Sequence, residues 1–268
     1  MGNVLVTGGT GGLGRKLVPE LMRRGHTVRI TSRDASSVAQ QTIGIHDGEV
    51  VEVPSWGDVA EVDLRSGAGL AEAVAGADTI VHAATAVRGA EKVEVGGAQR
   101  LLDAIGDARP HLLYVSIVGV DRHPFRYYRA KWAAEQVFEA GAVPLTIQRA
   151  TQFHTLLHHL LSRPISGLPF GATFQPVDVS EVVVRLAELV DAGPAGRAED
   201  IGGPEVLDIE DLTGQYAEVL GTKPRCFTLP AAGKTLQAFG KGIQTCPDHK
   251  YGTITWHQYL ETVAAKSP

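Results

Sequence analysis

Ser116, Tyr127 and Lys131 are the residues of this chain whose types and spacing best suit chemistry. Tyr127 and Lys131 are four apart, so on a helix they share a face and the ammonium stands near the phenol. A neighbouring positive charge favours the phenolate and lowers a pKa that starts at about 10. That makes the tyrosine a usable proton donor or acceptor near neutral pH. Ser116 ends an apolar strand-like run upstream of Tyr127, where its hydroxyl would hydrogen-bond a carbonyl oxygen as negative charge develops on it. Tyr128 is the competing tyrosine, less well matched because it lies only three residues from Lys131. The plain alternative for Tyr127 is an amphipathic surface tyrosine.

Alternating strands and helices must position these three side chains. Continuous apolar runs predict strands over 3–7, 27–31, 59–63, 79–83, 111–116 and 145–149, as in parallel strands covered on both faces. Helical spacing predicts helices near 12–24, 69–75, 91–106 and 127–140, with Gly25, Gly76, Gly106 and Gly141 at their ends. The fold class is therefore α/β, a Rossmann-type doubly wound parallel sheet. Residues 42–58 break the rhythm and read as an irregular loop or small extra hairpin.

Between the first strand and first helix lies Thr7-Gly8-Gly9-Thr10-Gly11-Gly12-Leu13-Gly14, followed by Arg15. Gly8, Gly11 and Gly14 let the backbone turn sharply and approach a pyrophosphate, and the following helix aims its N–H groups at the phosphate charge. Thr7, Thr10, Gly12 and Leu13 complete this candidate dinucleotide loop. An NAD site places an acid at the end of the second strand to hold the adenine ribose. Here that place holds Ser32 and then Arg33, a hydroxyl and a guanidinium that suit a 2′-phosphate. Arg15, a cation in the first turn of a helix, is unfavourable there unless a phosphate is bound. NADP(H) is favoured over NAD(H) on this ground, with Asp34 nearby as the feature that leaves NAD(H) open. Asp63 and Leu64, after the third strand, are candidates for the adenine amino group. Ala83, Ala84 and Thr85, closing the fourth, are candidates for small residues along the cofactor.

Beyond Arg149 the pattern loosens into helices near 153–161, 180–190, 211–220 and 255–264, separated by loops. The expected division is an NAD(P)-binding domain over 1–150, with 176–190 packing back on it, and a smaller substrate lobe over 151–175 and 191–268. Phe153, His154, Leu157, His158, Phe170 and Phe174 would line an apolar pocket there, or else form an amphipathic core helix.

Composition narrows the classes. A net charge of −5 supplies no basic field for nucleic acid. No apolar run is long enough to span a bilayer, and the N-terminus reads as a fold strand rather than a signal peptide. With only Cys226 and Cys246 as thiols, a reducing cytoplasm is the expected setting, and the histidines suggest no metal site.

Together these residues resemble the short-chain dehydrogenase/reductase superfamily in its extended or atypical branch, closest to the NmrA-like NAD(P)-binding group. The resemblance covers nearly the whole chain: the loop Thr7 to Gly14, Val115 to Val120, Tyr127 to Glu135, Thr146 to His154, Phe174 to Val179 and Gly202 to Glu205. It implies that the segment after Arg149 lines the nicotinamide, with Ala150, Thr151, Gln152 and Phe153 near it, and that Lys131 also holds the nicotinamide ribose. It implies a homodimer face on the helices at 91–106 and 127–140. The expected activity is NADPH-dependent reduction of a mostly apolar ketone or quinone, a small-molecule substrate, with Tyr127 as proton donor. Two alternatives share the fold: a non-catalytic NADP(H)-sensing regulatory protein, and an NAD(P)-dependent isomerase or epimerase.

Overall fold

The computed structural model describes residues 1–39, 43–46, 49–52, 58–230 and 232–266. The chain begins with β1 (Asn3–Thr7), α1 (Gly14–Arg23), β2 (Thr27–Ser32), α2 (Ala35–Ala39), β3 (Ile43–His46), β4 (Glu49–Glu52) and β5 (Asp58–Glu61). It continues through α3 (Leu70–Val74), β6 (Thr79–His82), α4 (Ala90–Val93), α5 (Val95–Ile105), β7 (His111–Ile117), α6 (Arg126–Ala140) and β8 (Leu145–Ala150). Then come α7 (His154–Leu161), β9 (Ser166–Pro169), β10 (Thr173–Phe174), α8 (Val179–Ala192), β11 (Gly196–Arg197) and β12 (Leu207–Asp208). The last elements are α9 (Ile209–Leu220), β13 (Cys226–Leu229), α10 (Gly233–Gly240) and α11 (Trp256–Ala264). Two compact units result. The first comprises Met1–Val115, Ala130–Gln148 and Val183–Ala198, the second Ser116–Arg129, Arg149–Val182 and Glu199–Pro268.

The first unit is built on a seven-stranded sheet in the order β11-β8-β7-β6-β1-β2-β5. From β1 the chain moves outward through β2 to β5. It then returns to the other side of β1 and builds β6, β7, β8 and β11. The β1–β2, β2–β5, β1–β6, β6–β7 and β8–β11 pairs are all parallel. Strand order therefore reverses between β1 and β6, the place where open α/β sheets bind ligands outside the strands' carboxyl ends. Leu5, Ile80, Leu112 and Tyr114 of the sheet pack with Leu70 and Ala73 of α3, Leu101 and Ile105 of α5, and Phe138 of α6. The stripe Leu17, Val18 and Leu21 on α1 is fully buried, so its helical spacing in the sequence reflects the face it covers.

The second unit holds parallel β9–β13 and antiparallel β10–β12 pairs. Its core joins Leu157 and Leu161 of α7, Phe174 of β10, Leu212 and Tyr216 of α9, and Trp256 and Leu260 of α11. Two reciprocal capping boxes, Asp208 with Asp211 and Thr255 with Gln258, start α9 and α11.

The expected strands and helices of the first half match within a few residues. The helix expected over 91–106 is two, α4 and α5, meeting at Glu94, whose backbone nonetheless stays helical (φ −72°, ψ −63°). Of the irregular stretch 42–58, β3 and β4 form an antiparallel hairpin; 42, 47–48 and 53–57 lie outside the described residues. Strands β9 and β13 and helix α10 had no counterpart in the sequence pattern. β9 and β13 are four residues each and pair across a long stretch of chain, so no local periodicity announces them.

Trp256 is fully buried and its indole N–H donates to the Leu212 carbonyl at 3.2 Å. Trp256→Ala should destabilise the chain by about 3–5 kcal/mol, read from urea denaturation by circular dichroism. A loss below about 1 kcal/mol would place this side chain outside the core.

Candidate functional site

The glycine loop sits at the sheet reversal because three of its glycines have no room for a side chain. At Gly8, with φ +75°, a Cβ would stand 2.7 Å from the Ala84 nitrogen and Cα, where β6 gives way to its loop. At Gly14 a Cβ would strike the Gly8 carbonyl oxygen and stand 2.6 Å from the Gly9 Cα. At Gly9 it would stand 2.7 Å from Ile30 of β2. The loop is thus pressed onto β2, β6 and the start of α1, while Gly11 and Gly12 stay exposed and Thr10 and Leu13 half-buried. No side chain caps α1, and its first turn carries no acid. The first-turn N–H groups and the dipole's positive end therefore suit an anionic group. Arg15 donates from Nε to the Thr10 carbonyl at 2.8 Å, which fixes a guanidinium beside the loop.

The other cofactor candidates of this unit divide. Thr7 is buried and hydrogen-bonded to His82 Nδ1 at 2.7 Å, which braces the ends of β1 and β6 against each other. Burial pushes the His82 imidazole down to about 4, so it is neutral at physiological pH. Ala83 and Ala84 are half-buried beside Gly8. Ser32 closes β2 and caps its own turn through the Asp34 amide (3.2 Å), leaving Arg33 exposed. Asp63 accepts from the Arg65 amide at 2.9 Å and serves a tight turn, with Leu64 half-buried beside it.

Lys131 is 3% exposed and its ammonium is held from several sides. Nζ donates to the Val115 carbonyl at 2.7 Å, lies 3.4 Å from Glu94 Oε2 and stands 4.2 Å from the centroid of the Tyr114 ring. Glu94, fully buried, also accepts from the Thr85 hydroxyl (2.6 Å), the Ala86 amide (3.2 Å) and the Tyr114 hydroxyl (3.2 Å). Burial alone would raise the Glu94 carboxyl. The Lys131 charge and the Thr85 hydrogen bond outweigh it and hold the group below its usual range. Burial lowers Lys131, against the pull of Glu94. Glu94 was missed in the sequence, although the signal was present. Ala90, Glu94, Ala98, Leu101 and Ile105 form one buried helical line, and an acid on an apolar stripe requires a buried partner.

In the second unit Ser116 is 3% exposed, and its hydroxyl has no hydrogen-bond partner among the described residues. An unpaired buried hydroxyl is costly and calls for an explanation. Tyr127 is half-buried at the start of α6, in an aromatic group with Phe125 (6.5 Å between ring centroids) and Tyr128 (6.3 Å). His123 and Phe239 extend the group, 4.3 Å apart. Tyr128 is buried, hydrogen-bonded to Gln152 and pushed up to about 12 by desolvation, so its phenol keeps its proton near neutral pH. Burial also drives His123 down to about 4, making it a neutral member of the group.

The last residue of β8 and those after it are tied into a buried amide network. Ala150 accepts from the Val118 amide at 3.0 Å, and Thr151 donates to the Gln175 carbonyl at 2.5 Å. Gln152 donates to the Gln244 carbonyl at 3.0 Å, and Gln175 accepts from the Cys246 amide at 2.7 Å. Phe153, half-buried, precedes α7. The apolar pocket expected from Phe153, His154, Leu157, His158, Phe170 and Phe174 is not formed as such. His154, Leu157 and Phe174 are core, and Phe170 is exposed. His154 and His158 have the i,i+4 spacing of a metal-binding pair, yet His154 stacks on Tyr259 (5.0 Å) and His158 on Tyr216 (5.9 Å). No group of three or more metal-ligating side chains occurs among the described residues.

A mostly parallel sheet with a glycine loop at its reversal defines a Rossmann-like dinucleotide-binding protein. The NAD(P)H-binding family model matches residues 8–188, and the chain belongs to that family. The resemblance to NmrA-like short-chain dehydrogenases/reductases agrees with this. Divinyl chlorophyllide a 8-vinyl-reductase of rice (Oryza sativa) is 28% identical over 99% of this chain and 72% of its own length. Among solved structures, an NADPH-dependent quinone oxidoreductase of Escherichia coli complexed with NADPH has a TM-score of 0.76 at 14% identity, covering 97% of this chain and 99% of that one. A putative epimerase of Burkholderia cenocepacia has a TM-score of 0.68 at 20% identity, covering 98% of each chain. Family and fold are those of NAD(P)-dependent oxidoreductase-type enzymes. No helix among the described residues is long and apolar enough to cross a membrane.

Gly14→Ala should weaken NADPH binding at least about tenfold, because the added Cβ forces Gly8 and Gly9 away from the close approach that a phosphate-binding loop needs. Titration of NADPH fluorescence measures this. Unchanged affinity in a folded variant would remove the loop from the cofactor site.

Proposed function

We propose that this chain is an NADPH-dependent reductase of mostly apolar ketones or quinones, with Tyr127 as proton donor. The observation that carries the reading is the buried, unpartnered Ser116 hydroxyl, upstream of a half-buried tyrosine that has a lysine one helical turn later. When bound, the nicotinamide supplies a hydride. Thr7 to Gly14, with the first turn of α1, would hold the pyrophosphate, and Ala83, Ala84 and Thr85 would run beside the cofactor. Ser116 donates a hydrogen bond to the substrate oxygen as negative charge grows on it. Tyr127 gives that oxygen its proton, and Lys131 supplies a charge that favours the resulting phenolate. The aromatic group of His123, Phe125, Tyr127, Tyr128 and Phe239 supports a planar, largely apolar substrate. Ser32, Arg33 and Arg15 support NADP(H) over NAD(H), since no acid ends β2 to repel a 2′-phosphate.

The rice relative favours a second reading on the same site, reduction of an activated carbon–carbon double bond. NADPH consumption with menadione and aryl ketones, set against aryl vinyl compounds, separates the two readings.

Tyr127→Phe should bind NADPH as the unchanged protein does, yet lose at least about 100-fold in kcat, the usual worth of a positioned general acid. Retained turnover on menadione would remove Tyr127 from the chemistry. Arg33→Ala should lower NADPH affinity at least about tenfold and leave NADH affinity unchanged, as expected when a charge-assisted phosphate contact is deleted. Equal losses for both nucleotides would contradict the 2′-phosphate role.

A further inference from the structure

Glu94 is a fully buried carboxylate in contact with Lys131 of the proposed catalytic set. Its setting is unusual for a structural acid. A carboxylate at a fully buried helix position is unfavourable unless both oxygens are matched. Here both are: Oε1 takes the Thr85 hydroxyl and Ala86 amide, and Oε2 takes the Tyr114 hydroxyl and the Lys131 ammonium. Replacing a buried ion pair with well-packed apolar side chains is often neutral or stabilising, so stability alone is a weak reason for a pair at this place.

Lys131 faces a limited set of charged and titratable groups. Glu94 lies at the α4–α5 junction in contact with it, and Glu135 acts on it from its own helix. Tyr114 of β7 presents its ring face, and neutral His82 of β6 is stacked on that ring at 5.6 Å. The Val115 carbonyl is a dipole without net charge. Without Glu94 the ammonium would keep a carbonyl, a ring face and the Glu135 charge, in a site from which water is largely excluded.

We propose that Glu94 is a positioning residue that keeps Lys131 charged and in place, acting on catalysis only through that lysine. The same carboxylate ties the loop after β6, through Thr85 and Ala86, to the lysine. The inference rests on the catalytic reading of Lys131 for its consequence, but not for its test. A lysine held charged by a buried partner loses its proton, and with it its role, only as pH rises through its own pKa. Removing the partner moves that loss to lower pH.

The direct readout is the titration of Lys131 by NMR in protein labelled with [13Cε]lysine, with no nucleotide added. The resonance is identified by its absence in Lys131→Arg. In Glu94→Gln the midpoint should fall by about one pH unit or more, and in Glu94→Asp by less, since the charge remains on a shorter arm. An unchanged midpoint in either variant, with native near-UV circular dichroism, overturns the proposal. Should Glu94→Gln not fold, Glu94→Asp alone carries the test. Turnover of menadione with NADPH adds the second readout: in Glu94→Gln kcat falls with little change in KM, and its alkaline limb moves to lower pH. A lowered NMR midpoint with an unaltered kcat profile would uphold the charge-holding role and sink the catalytic reading of Lys131. An unaltered midpoint would sink the charge-holding role and leave the catalytic reading of Lys131 standing.

Discussion

The first unit depends on one close approach of backbone to backbone. Gly8 lies against Ala84 so tightly that a single Cβ would stand 2.7 Å from main-chain atoms. The approach is possible only because β1 and β6 are adjacent and parallel, with Thr7 in register with His82. That adjacency follows in turn from the sheet reversing its order at this point. Glycine at position 8 is therefore where chain connectivity and strand pairing meet. The Thr7–His82 hydrogen bond fixes the same junction from the core side, and burial keeps that imidazole neutral.

A second constraint is electrostatic. The structure buries a lysine against a glutamate and places an aromatic ring under the ammonium. Removing one partner of such a pair typically costs about 3–5 kcal/mol, because it leaves a charge uncompensated. That is a large share of the roughly 5–15 kcal/mol that holds a domain folded. The second unit adds neutral amides to its own ion pairs, such as Arg149 with Asp121. There Gln152, Gln175 and Gln244 satisfy backbone groups from distant parts of the chain.

Much of this was legible in the residues. The glycine loop and the parallel strands announce themselves because their requirements are local: no Cβ at Gly8 and Gly14, apolar side chains on both faces of β1 and β6. The helix carrying Tyr127 and Lys131 was equally plain. Glu94 was readable in principle as an acid on an apolar helical line, but its partner lies on another helix and no local spacing links the two. The choice between pocket and core left open for His154, Leu157 and Phe174 has a similar origin. Apolar and aromatic residues at helical spacing fit a core or a ligand cavity equally well, and here Trp256, Tyr259 and Tyr216 fill the space as core. The amide network and the β9–β13 pair join residues too far apart in sequence for any pattern to reveal.

The central claim is the proposed reaction: hydride passes from NADPH to a carbonyl carbon while Tyr127 gives the oxygen its proton. Its most direct test is transfer of deuterium from NADPH labelled stereospecifically at the nicotinamide C4, with an aryl ketone as acceptor and the product examined by mass spectrometry and NMR. The account predicts one deuterium on the former carbonyl carbon of the alcohol, delivered from one face of the nicotinamide only. With the two C4-deuterated isomers used in turn, alcohol without deuterium at that carbon from both of them, or NADPH bound but never consumed across ketones and quinones, would contradict it.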